Sequence, residues 1–537
     1  MIENDVSAIL TNLPTRISDV VKPWAELSPD HPALVESSGT WTYRQLASAV
    51  ADTEIWLINS GVRPGDRVMI VSENCRAFVA ILLALAGLDA WPVLVNARLS
   101  AREVDQIRDH CGARRAIYIT GVSAQAREHA KQHGAVSEKS LTLGLIALGP
   151  LNDQAEPEPI EPDSANRVAA LIYTSGTTGL PKGVMLTHRN LLFVAAVSAK
   201  IRSLTPVDRL YGILPISHAV GLSVVLLGAL VTGSTLYLSP LFDPVAALAT
   251  LEKAQITVML GAPAMFALFV EYAKMKGLPS LNFPALRIIS SAGAPLHATL
   301  KGEVESLFGL VLHNGYGVTE CSPNISQARI EDDHGLTESS SLNLSQTRSE
   351  APCQYVSVGR VLPGVQVKLI GTDGNPVAEG EVGELSVRGP NIMKGYYRNP
   401  EDTLAAVDQE GWFQTRDLAR LEAGKLYIVG RAKELIVRFG FNVYPAEVEG
   451  VLNAHPGVVR SAVIGRTAEA DGNEQVIAFV QPMPGSLLTS TEMAEYAAQQ
   501  LAPYKRPSEI ILISEMPMTP TGKVVKDELR KMATQSA

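Results

Sequence analysis

The chain has 537 residues, which exceeds the usual size of one hydrophobic core and predicts at least two domains. Its 46 basic and 55 acidic residues give a net charge of −9, a balance that disfavours non-specific nucleic-acid binding. The four cysteines, Cys75, Cys111, Cys321 and Cys353, form no CxxC pair, so neither a zinc site nor a disulfide scaffold is expected.

The N-terminal segment and one long apolar stretch bear on location. Glu3 and Asp5 stand where an export signal would be basic, so a cytoplasmic location is predicted. No Asp, Glu, Lys or Arg occurs from Leu210 to Phe242, a length that suggests a membrane span. Glycines and prolines divide this stretch, however, and predict a strand, a loop, a buried helix and a second strand. No membrane span is therefore expected.

The first 150 residues alternate short apolar runs with helical patterns. The candidate elements are the strands 66–72, 93–95 and 115–120 and the helix 76–88. Strands that alternate with helices form parallel sheets covered by helices, so this region predicts an α/β domain. A polar, proline-rich connector follows at 149–164, and the same alternation then continues to about residue 325.

The remainder of the chain has a different pattern. Residues 331–352 are polar and predict a long surface loop. Beyond them, alternating apolar and polar residues with glycine-rich turns predict a small antiparallel sheet or barrel. The last hundred residues mix short strands with helices and predict a compact α+β unit.

The strongest local signal is a loop rich in glycine and hydroxyl residues, YTSGTTGLPKGV at 173–184. It follows an apolar run and precedes a helical pattern opened by Thr187. Small residues let backbone N–H groups approach a phosphate closely, and Lys182 adds positive charge; a polar surface turn is the alternative interpretation. A Walker A loop is disfavoured because Pro181 precedes the lysine and Gly183 follows it.

Five further motifs follow the glycine-rich loop in order. They are LPISHAVGL (214–222), NGYGVTE (314–320), GWFQTRDLA (411–419), GRAKELIVRFGFNVYPAEVE (430–449) and PMTPTGKVVKDELR (517–530). Together the six motifs resemble those of the adenylate-forming superfamily, which contains acyl- and aryl-CoA synthetases, firefly luciferase and peptide-synthetase adenylation domains. The resemblance covers nearly the whole chain. Within the superfamily, the sequence most resembles free-standing acyl-CoA or 4-coumarate-CoA-type ligases.

The resemblance implies an α/β fold in two parts. The N-terminal adenylation domain, with βα-layered sheets, would span residues 1–430 and include a β-rich subdomain, a small antiparallel barrel, at 353–430. A hinge at 431–434 would join it to a small, mobile α+β domain at 435–537. The implied activity is ATP-dependent acid–CoA ligation through an acyl-AMP, with a small carboxylic acid, ATP, Mg²⁺ and coenzyme A as ligands. A monomer or homodimer is expected.

The family motifs also imply roles for individual residues. Lys523 is expected to contact the carboxylate and the α-phosphate during adenylation, where two anions meet and positive charge is needed. Thr319 is expected to contact a phosphate oxygen and Glu320 to hold magnesium, which suits carboxylate and phosphate ligands. His218 is expected to gate the acyl pocket or touch the acid's carboxylate, although it also fits a satisfied loop histidine.

On the nucleotide side, the resemblance implies that Asp417 accepts hydrogen bonds from both ribose hydroxyls. Arg431 would lie nearby, and Tyr316 would stack on adenine. Arg416 stands where the family commonly has glycine. The other nucleotide-binding candidates are Thr174, Ser175, Gly176, Thr177, Thr178, Gly179, Lys182, Ala292, Gly293, Ala294, Asn314, Gly315 and Gly317.

The residues of the implied acyl pocket are mostly small or apolar, as expected for a hydrophobic ligand. Its candidates are His218, Gly221, Ala262, Met265, Ser291, Gly315, Val318, Ser322 and Pro323. No aspartate occurs from Leu210 to Leu241, whereas amino-acid-activating relatives place one there to pair with the substrate amine. An α-amino acid is therefore not expected; an aryl acid and a medium-chain alkyl acid both stay open.

The resemblance places the hinge at Lys433 and the thiol tunnel at Arg438, Phe439 and Gly440. Many relatives have lysine at positions 437 and 439, where this chain has Val437 and Phe439. An adenylating enzyme that passes the acyl group to a separate carrier protein or an amine is thus the alternative function. A nucleotide-binding protein without catalysis is the third hypothesis.

Overall fold

The structure is a computed structural model, and it describes residues 6–175, 181–330, 356–438, 441–467, 474–518 and 524–535. The strands are β1 (Pro32–Glu36), β2 (Gly39–Thr42), β3 (Arg67–Ser72), β4 (Trp91–Asn96), β5 (Arg115–Tyr118), β6 (Val136–Ser140), β7 (Gly144–Leu148), β8 (Val168–Ser175), β9 (Pro181–Thr187), β10 (Arg209–Gly212), β11 (Thr235–Leu238), β12 (Val258–Gly261), β13 (Ile288–Ser291), β14 (Leu312–Gly317), β15 (Asn324–Gln327), β16 (Arg360–Val361), β17 (Gln366–Ile370), β18 (Val382–Arg388), β19 (Gly395–Tyr396), β20 (Phe413–Glu422), β21 (Lys425–Arg431), β22 (Ile436–Arg438), β23 (Phe441–Val443), β24 (Val458–Thr467), β25 (Glu474–Pro482) and β26 (Glu509–Leu512).

The α-helices surround these strands. They are α1 (Val6–Asn12), α2 (Lys22–Leu27), α3 (Tyr43–Asn59), α4 (Arg76–Gly87), α5 (Ala101–Cys111), α6 (Ala124–Gln132), α7 (His188–Ile201), α8 (Gly228–Thr232), α9 (Pro244–Lys253), α10 (Pro263–Lys276), α11 (Ala298–Phe308), α12 (Pro400–Ala406), α13 (Pro445–Asn453), α14 (Ser490–Gln500) and α15 (Lys526–Gln535).

An eight-stranded sheet contains the strands predicted near the N-terminus. Its order is β19-β9-β8-β4-β3-β5-β7-β6, and β3 pairs in parallel with both β4 and β5. These three strands confirm the predictions at 66–72, 93–95 and 115–120. Residues 77–86 of α4 are all buried, because this helix packs into the main apolar core. The α/β class is confirmed.

A nine-stranded sheet forms the second layer, with the order β16-β15-β14-β13-β12-β10-β11-β1-β2. Its strands β10, β12, β13 and β14 are parallel neighbours in that sheet. Their carboxyl ends therefore lie at one edge, where the loops that follow them meet.

The charge-free stretch from 210 to 242 is folded into this sheet. It contains β10, a buried π-helix at Val220–Leu227, then α8 and β11. The predicted order of strand, loop, buried helix and strand is confirmed. Within the described ranges, no helix combines the length and apolar character needed to cross a membrane.

The later part of the chain forms smaller sheets. An antiparallel sheet of order β17-β18-β20-β21 occupies the predicted β-rich region. Beyond it, β22 and β23 form a hairpin, and α13, α14 and α15 accompany the sheet β24-β25-β26. The predicted surface loop at 331–352 lies outside the described residues.

The connector at 149–164 is irregular, as predicted, but its backbone is held by buried arginine contacts. Arg67 is 1% exposed, and its Nη1 donates a 2.7 Å hydrogen bond to the carbonyl of Glu156. Tyr397 Oη donates to Glu158 Oε1 at 2.6 Å. The connector is therefore fastened to the eight-stranded sheet rather than free along its length.

Candidate functional site

The candidate site begins at the carboxyl edge of the nine-stranded sheet. Gly261 and Ser291, at the ends of β12 and β13, and Asn314, within β14, occupy adjacent register positions. Ligands bind in open α/β sheets outside such carboxyl ends. The predicted site residues that lie at or directly after these strand ends are Ala262, Ser291, Ala292, Gly293, Ala294, Asn314, Gly315, Tyr316 and Gly317.

Asp417 lies at the meeting point of this edge with the smaller antiparallel sheet. It is 4% exposed and stands opposite Arg431 in the pairing of β20 with β21. Tyr316 Oη donates a hydrogen bond to Asp417 Oδ2, and Arg431 Nε lies 3.2 Å from Oδ1. Burial, and after it the charge of Asp417, raises the pKa of Tyr316 well above its ordinary value. The hydroxyl therefore keeps its proton and donates a hydrogen bond to the carboxylate.

Arg416, beside Asp417, has a backbone conformation that explains the family's preference for glycine. Its φ is +62°, a left-handed value that glycine adopts without steric cost. The Arg416 side chain is 60% exposed and points to Glu384, with Nη1 3.6 Å from Oε1. The presence of arginine instead of glycine at position 416 therefore does not prevent the ion pair between Asp417 and Arg431.

Thr319 and Glu320 lie in a 3₁₀ turn, Thr319–Cys321, directly after β14. Glu320 Oε1 accepts a 2.8 Å hydrogen bond from Tyr396 Oη, and its carbonyl accepts one of 2.8 Å from the N–H of Met393. Burial, followed by the Glu320 charge, raises the pKa of Tyr396 above its ordinary value. Glu320 is therefore a carboxylate held by a protonated phenol.

Lys182 reaches the same tyrosine from the eight-stranded sheet. It stands opposite Thr174 in the pairing of β8 with β9. Lys182 Nζ lies 2.7 Å from Asp402 Oδ2 and 5.1 Å from the centre of the Tyr396 ring. The hydrogen bond from Lys182 lowers the pKa of the Asp402 carboxyl group. Lys182, from the glycine-rich loop, and Glu320, from the NGYGVTE motif, thus both contact Tyr396.

The centre of the glycine-rich loop lies outside the described residues. These undescribed candidates are Gly176, Thr177, Thr178 and Gly179. Ser175 ends β8, and only its backbone is described. Strands β8 and β9 bound the loop on both sides, so its two ends are held together by antiparallel pairing.

His218 and Gly221 lie after β10, at the start of the irregular helix. The N–H of His218 donates to Pro215 O at 3.0 Å, and the N–H of Leu222 donates to His218 O at 2.9 Å. A Cβ at position 221 would lie 2.1 Å from Pro215 O, so this close approach requires glycine. π-helical turns occur frequently at functional sites.

The remaining acyl-pocket candidates flank the same edge. Met265, in α10, is partly buried against two hydrophobic clusters, and Val318 packs against the larger one. Ser322 and Pro323 follow the Thr319–Cys321 turn and precede β15. The Oγ atoms of Ser291 and Ser322 are buried and have no hydrogen-bond partner within the described ranges.

Lys433 lies in a 3₁₀ turn, Ala432–Glu434, between β21 and β22. Arg438 Nη1 donates a 2.6 Å hydrogen bond to Arg506 O, within the C-terminal part of the chain. Lys526 Nζ lies 2.9 Å from Glu434 Oε2 and 2.9 Å from Glu449 Oε1. Three predicted site residues, Phe439, Gly440 and Lys523, lie outside the described residues.

Sequence reasoning missed two residues of this site, Tyr396 and Asp402. The signal was the aromatic pair after a glycine, GYY at 395–397, followed by an acidic helix start. It was not recognised because Tyr396 is 76 residues from Glu320 in the chain, and only the folded sheets bring the two together.

Comparison with known proteins agrees with this geometry. A family model described as AMP-binding enzyme matches residues 21–397, and one described as AMP-binding enzyme C-terminal domain matches residues 447–523. A feruloyl-CoA synthase of Amycolatopsis sp is 34% identical over 510 residues, covering 94% of this chain and 97% of that protein. The 4-coumarate–CoA ligase 3 of Oryza sativa subsp. japonica is 30% identical over 518 residues, covering 93% and 89%.

A solved structure shares the arrangement. The O-succinylbenzoate coenzyme A synthetase from Bacillus subtilis, in complex with ATP and magnesium ion, superposes with a TM-score of 0.77 at 27% identity. The match covers 95% of this chain and 99% of that chain. The resemblance inferred from the six motifs is confirmed, and the chain belongs to the AMP-binding enzyme family.

Proposed function

We propose that this chain is an ATP-dependent carboxylic acid–CoA ligase whose acid substrate carries an aromatic ring. It forms an acyl-AMP with release of pyrophosphate, and then an acyl-CoA thioester with release of AMP. The observation that carries this assignment is that one strand and the turn after it, 312–321, carry both Tyr316 and Glu320, each of which contacts a different group of charged side chains. Tyr316 contacts Asp417, a carboxylate that suits a ribose. Glu320 accepts a hydrogen bond from Tyr396, and the ring of Tyr396 faces Lys182, a cation that suits phosphates.

In the first half-reaction, a carboxylate oxygen attacks the α-phosphorus of ATP and the bond to pyrophosphate breaks. Two anions meet in this step, so positive charge must be supplied to the transition state. We assign Lys182 to the phosphates and Lys523 to the carboxylate and the α-phosphate. Asp417 would accept the ribose hydroxyls, with Thr319 at a phosphate oxygen and Tyr316 against the adenine.

Glu320 is the residue that we assign to Mg²⁺. Tyr396 Oη engages Oε1 of this carboxylate, and Oε2 is the oxygen that we assign to the metal. One protein carboxylate with phosphate oxygens fits Mg²⁺, which is usually held by one or two carboxylates and substrate phosphates. When bound, the ion neutralises negative charge on the phosphate oxygens.

In the second half-reaction, the thiol sulfur of coenzyme A attacks the acyl carbonyl carbon and AMP leaves. We assign Arg438, Phe439 and Gly440 to the thiol tunnel. Val437 and Phe441, which flank the hairpin tip, are 46% and 55% exposed in this arrangement. We propose that the C-terminal domain, 435–537, rotates relative to the N-terminal domain, 1–430, about the hinge at 431–434 before the thioester forms.

The pocket candidates suit a hydrophobic acid, and the names of the relatives support an aromatic one. Among the pocket candidates, Met265 and Val318 supply apolar surface, which suits a hydrophobic acid. The two curated relatives and the solved structure described above carry the names of aromatic acids. A cytoplasmic location and a monomeric or homodimeric state stay predictions.

The test is a panel assay of pyrophosphate and AMP release with ATP and Mg²⁺, each acid being supplied with and without coenzyme A. Ferulic, 4-coumaric and benzoic acids are compared with octanoic acid and phenylalanine. We expect thioester formation with an aromatic acid and none with phenylalanine. A thioester from octanoic acid alone would contradict the substrate class. Pyrophosphate release without a thioester would instead support a carrier-protein or amine acceptor.

A further inference from the structure

Tyr396 lies between two charged side chains to which the proposed function gives separate roles. Its hydroxyl donates to Glu320 Oε1 at 2.8 Å, and the ammonium of Lys182 lies 5.1 Å from its ring centre. The tyrosine is 8% exposed. One buried side chain thus contacts the proposed magnesium ligand through its hydroxyl and the proposed phosphate ligand through its ring.

Backbone pairing fixes the position of Tyr396 relative to both partners. Tyr396 stands opposite Val184 in the pairing of β19 with β9, the strand that carries Lys182. On the other side, the N–H of Met393 donates to the carbonyl of Glu320. The segment of Tyr396 is therefore fastened to the strand of one partner and to the turn of the other.

Asp402 completes the arrangement from the helix that follows. Asp402 is in α12, whose start is capped by Asn399, and its Oδ2 lies 2.7 Å from Lys182 Nζ. The Lys182 side chain is 20% exposed and that of Asp402 is 40% exposed. The carboxylate thus holds the ammonium beside the ring of Tyr396, where cation–π attraction adds to the ion pair.

We propose that Tyr396 is a positioning residue for the ATP–metal complex: its hydroxyl orients the Glu320 carboxylate and its ring supports the Lys182 ammonium. This inference rests on the proposed roles of Glu320 and Lys182. Residues that hydrogen-bond to a metal ligand fix the ligand's orientation, and their loss typically lowers metal affinity about 10- to 100-fold.

The neighbouring Tyr397 offers a matched control. It is also buried, and its hydroxyl also donates to a carboxylate, Glu158 Oε1, at 2.6 Å. Glu158 belongs to the connector and lies 3.8 Å from the buried Arg67. Tyr397→Phe therefore removes the same kind of hydrogen bond away from the proposed phosphate contacts.

The experiment measures binding, using the full-length chain. Mn²⁺ affinity is determined by electron paramagnetic resonance with a non-hydrolysable α,β-methylene ATP analogue, and metal-free affinity for the analogue by calorimetry. Tyr396→Phe is expected to raise the Kd of Mn²⁺ about ten-fold, with metal-free nucleotide affinity nearly unchanged. Tyr396→Leu is expected also to weaken metal-free nucleotide binding by about two- to five-fold, because Lys182 loses the ring. Tyr397→Phe is expected to match the wild type in both.

A double-variant cycle separates positioning from a general structural effect. In the Glu320→Gln background, Tyr396→Phe should have no further effect on Mn²⁺-dependent nucleotide affinity, because the hydroxyl acts through that carboxylate. Equal Mn²⁺ affinities for Tyr396→Phe and Tyr397→Phe would overturn the inference, as would full additivity in the cycle. A wild-type chain that binds the metal and nucleotide but activates no acid would contradict the proposed function instead.

Discussion

Asp417 is the residue on which the proposed nucleotide contacts depend. It is almost fully buried, yet both of its oxygens have partners: Tyr316 at Oδ2 and Arg431 at Oδ1. An ionised carboxylate offers about four lone-pair sites on two oxygens, which suits the two hydroxyls of a ribose. Its own N–H donates to Thr415 Oγ1 at 3.1 Å, which orients the start of the strand segment.

Substitution of Asp417 by asparagine tests the ribose contact. The amide keeps the size of the carboxylate but offers one oxygen, so we expect kcat/KM for ATP to fall about 10- to 100-fold, as for loss of a charged hydrogen bond. The preference for ATP over 2′-deoxy- and 3′-deoxy-ATP should shrink as well. Steady-state kinetics with the three nucleotides provide the measurement.

The control for this substitution is Glu422→Gln, which removes a charge from an exposed position on the same strand. It should leave the nucleotide preference unchanged. An Asp417→Asn variant that discriminates against the deoxynucleotides as strongly as the wild type would contradict the ribose role.

The sequence predicted several residues that the fold brings to this edge, but not the contacts among them. The motifs placed Tyr316 against the adenine and Asp417 at the ribose, and did not anticipate the hydrogen bond that joins their side chains across 101 residues. Motif spacing reports local geometry, whereas this contact depends on how β14 meets β20. Tyr396 was missed for the same reason.

At the scale of elements, helix α7 shows how local and tertiary signals combine. Thr187 was predicted to open it, and the structure confirms a capping box with Asn190. The first helical residue, His188, is 1% exposed, and its Nδ1 accepts a 3.1 Å hydrogen bond from the N–H of Ile17. Burial lowers the pKa of His188 to about 3, and the positive charges of Arg16 and Arg167 act in the same direction.

The lowered pKa of His188 predicts a loss of stability in mild acid. Between its ordinary pKa of 6.5 and its lowered pKa of about 3, His188 is protonated in the unfolded chain but neutral in the folded chain. Its contribution is therefore fully present above pH 6.5 and declines towards pH 3, by at most about 1.4 kcal/mol of unfolding free energy per pH unit. Between pH 7.5 and 5.0, melting temperature should fall more in the wild type than in His188→Gln.

The measurement is thermal unfolding followed by circular dichroism at several pH values. The glutamine amide can accept the hydrogen bond but has no titration in this range, so the difference in slope isolates His188. Parallel pH dependence in the two proteins would show that folding does not lower the pKa of His188.

At the scale of the whole molecule, polar side chains join the C-terminal part to the rest of the chain. Asn453, at the end of α13, lies with its Nδ2 3.3 Å from His297 Nε2 at the start of α11. Lys526 is partly buried between Glu434 and Glu449; desolvation alone would lower its pKa, but the two carboxylates outweigh it and raise the pKa. Lys526 thus links α15 to the Ala432–Glu434 turn, where we propose the hinge.

The two proposed half-reactions should respond differently to loss of Lys523. Lys523→Ala removes the charge assigned to the carboxylate and α-phosphate, so acyl-AMP formation should fall by about two orders of magnitude or more. Thioester formation from supplied acyl-AMP and coenzyme A should stay within about two-fold of the wild type, because no adenylation is needed. Rapid-quench assays measure each half-reaction separately.

Lys531→Ala serves as the matched variant, since Lys531 is an exposed lysine of the same C-terminal segment, on α15. It should leave both half-reactions intact. If Lys523→Ala slowed the two half-reactions equally, the proposed division of labour between them would be wrong.

The sequence by itself determined the elements and the family. Short apolar runs predicted β3, β4 and β5, and a longer helical pattern predicted α4, because strands of a parallel sheet are buried on both faces by the helices that cover them. The motifs identified the chemistry, because close approach to a phosphate requires small residues in series. Only the tertiary structure decided which side chains meet. Tyr396 lies between Glu320 and Lys182, and Tyr316 bonds Asp417, since strand order across three sheets, not distance along the chain, sets these contacts.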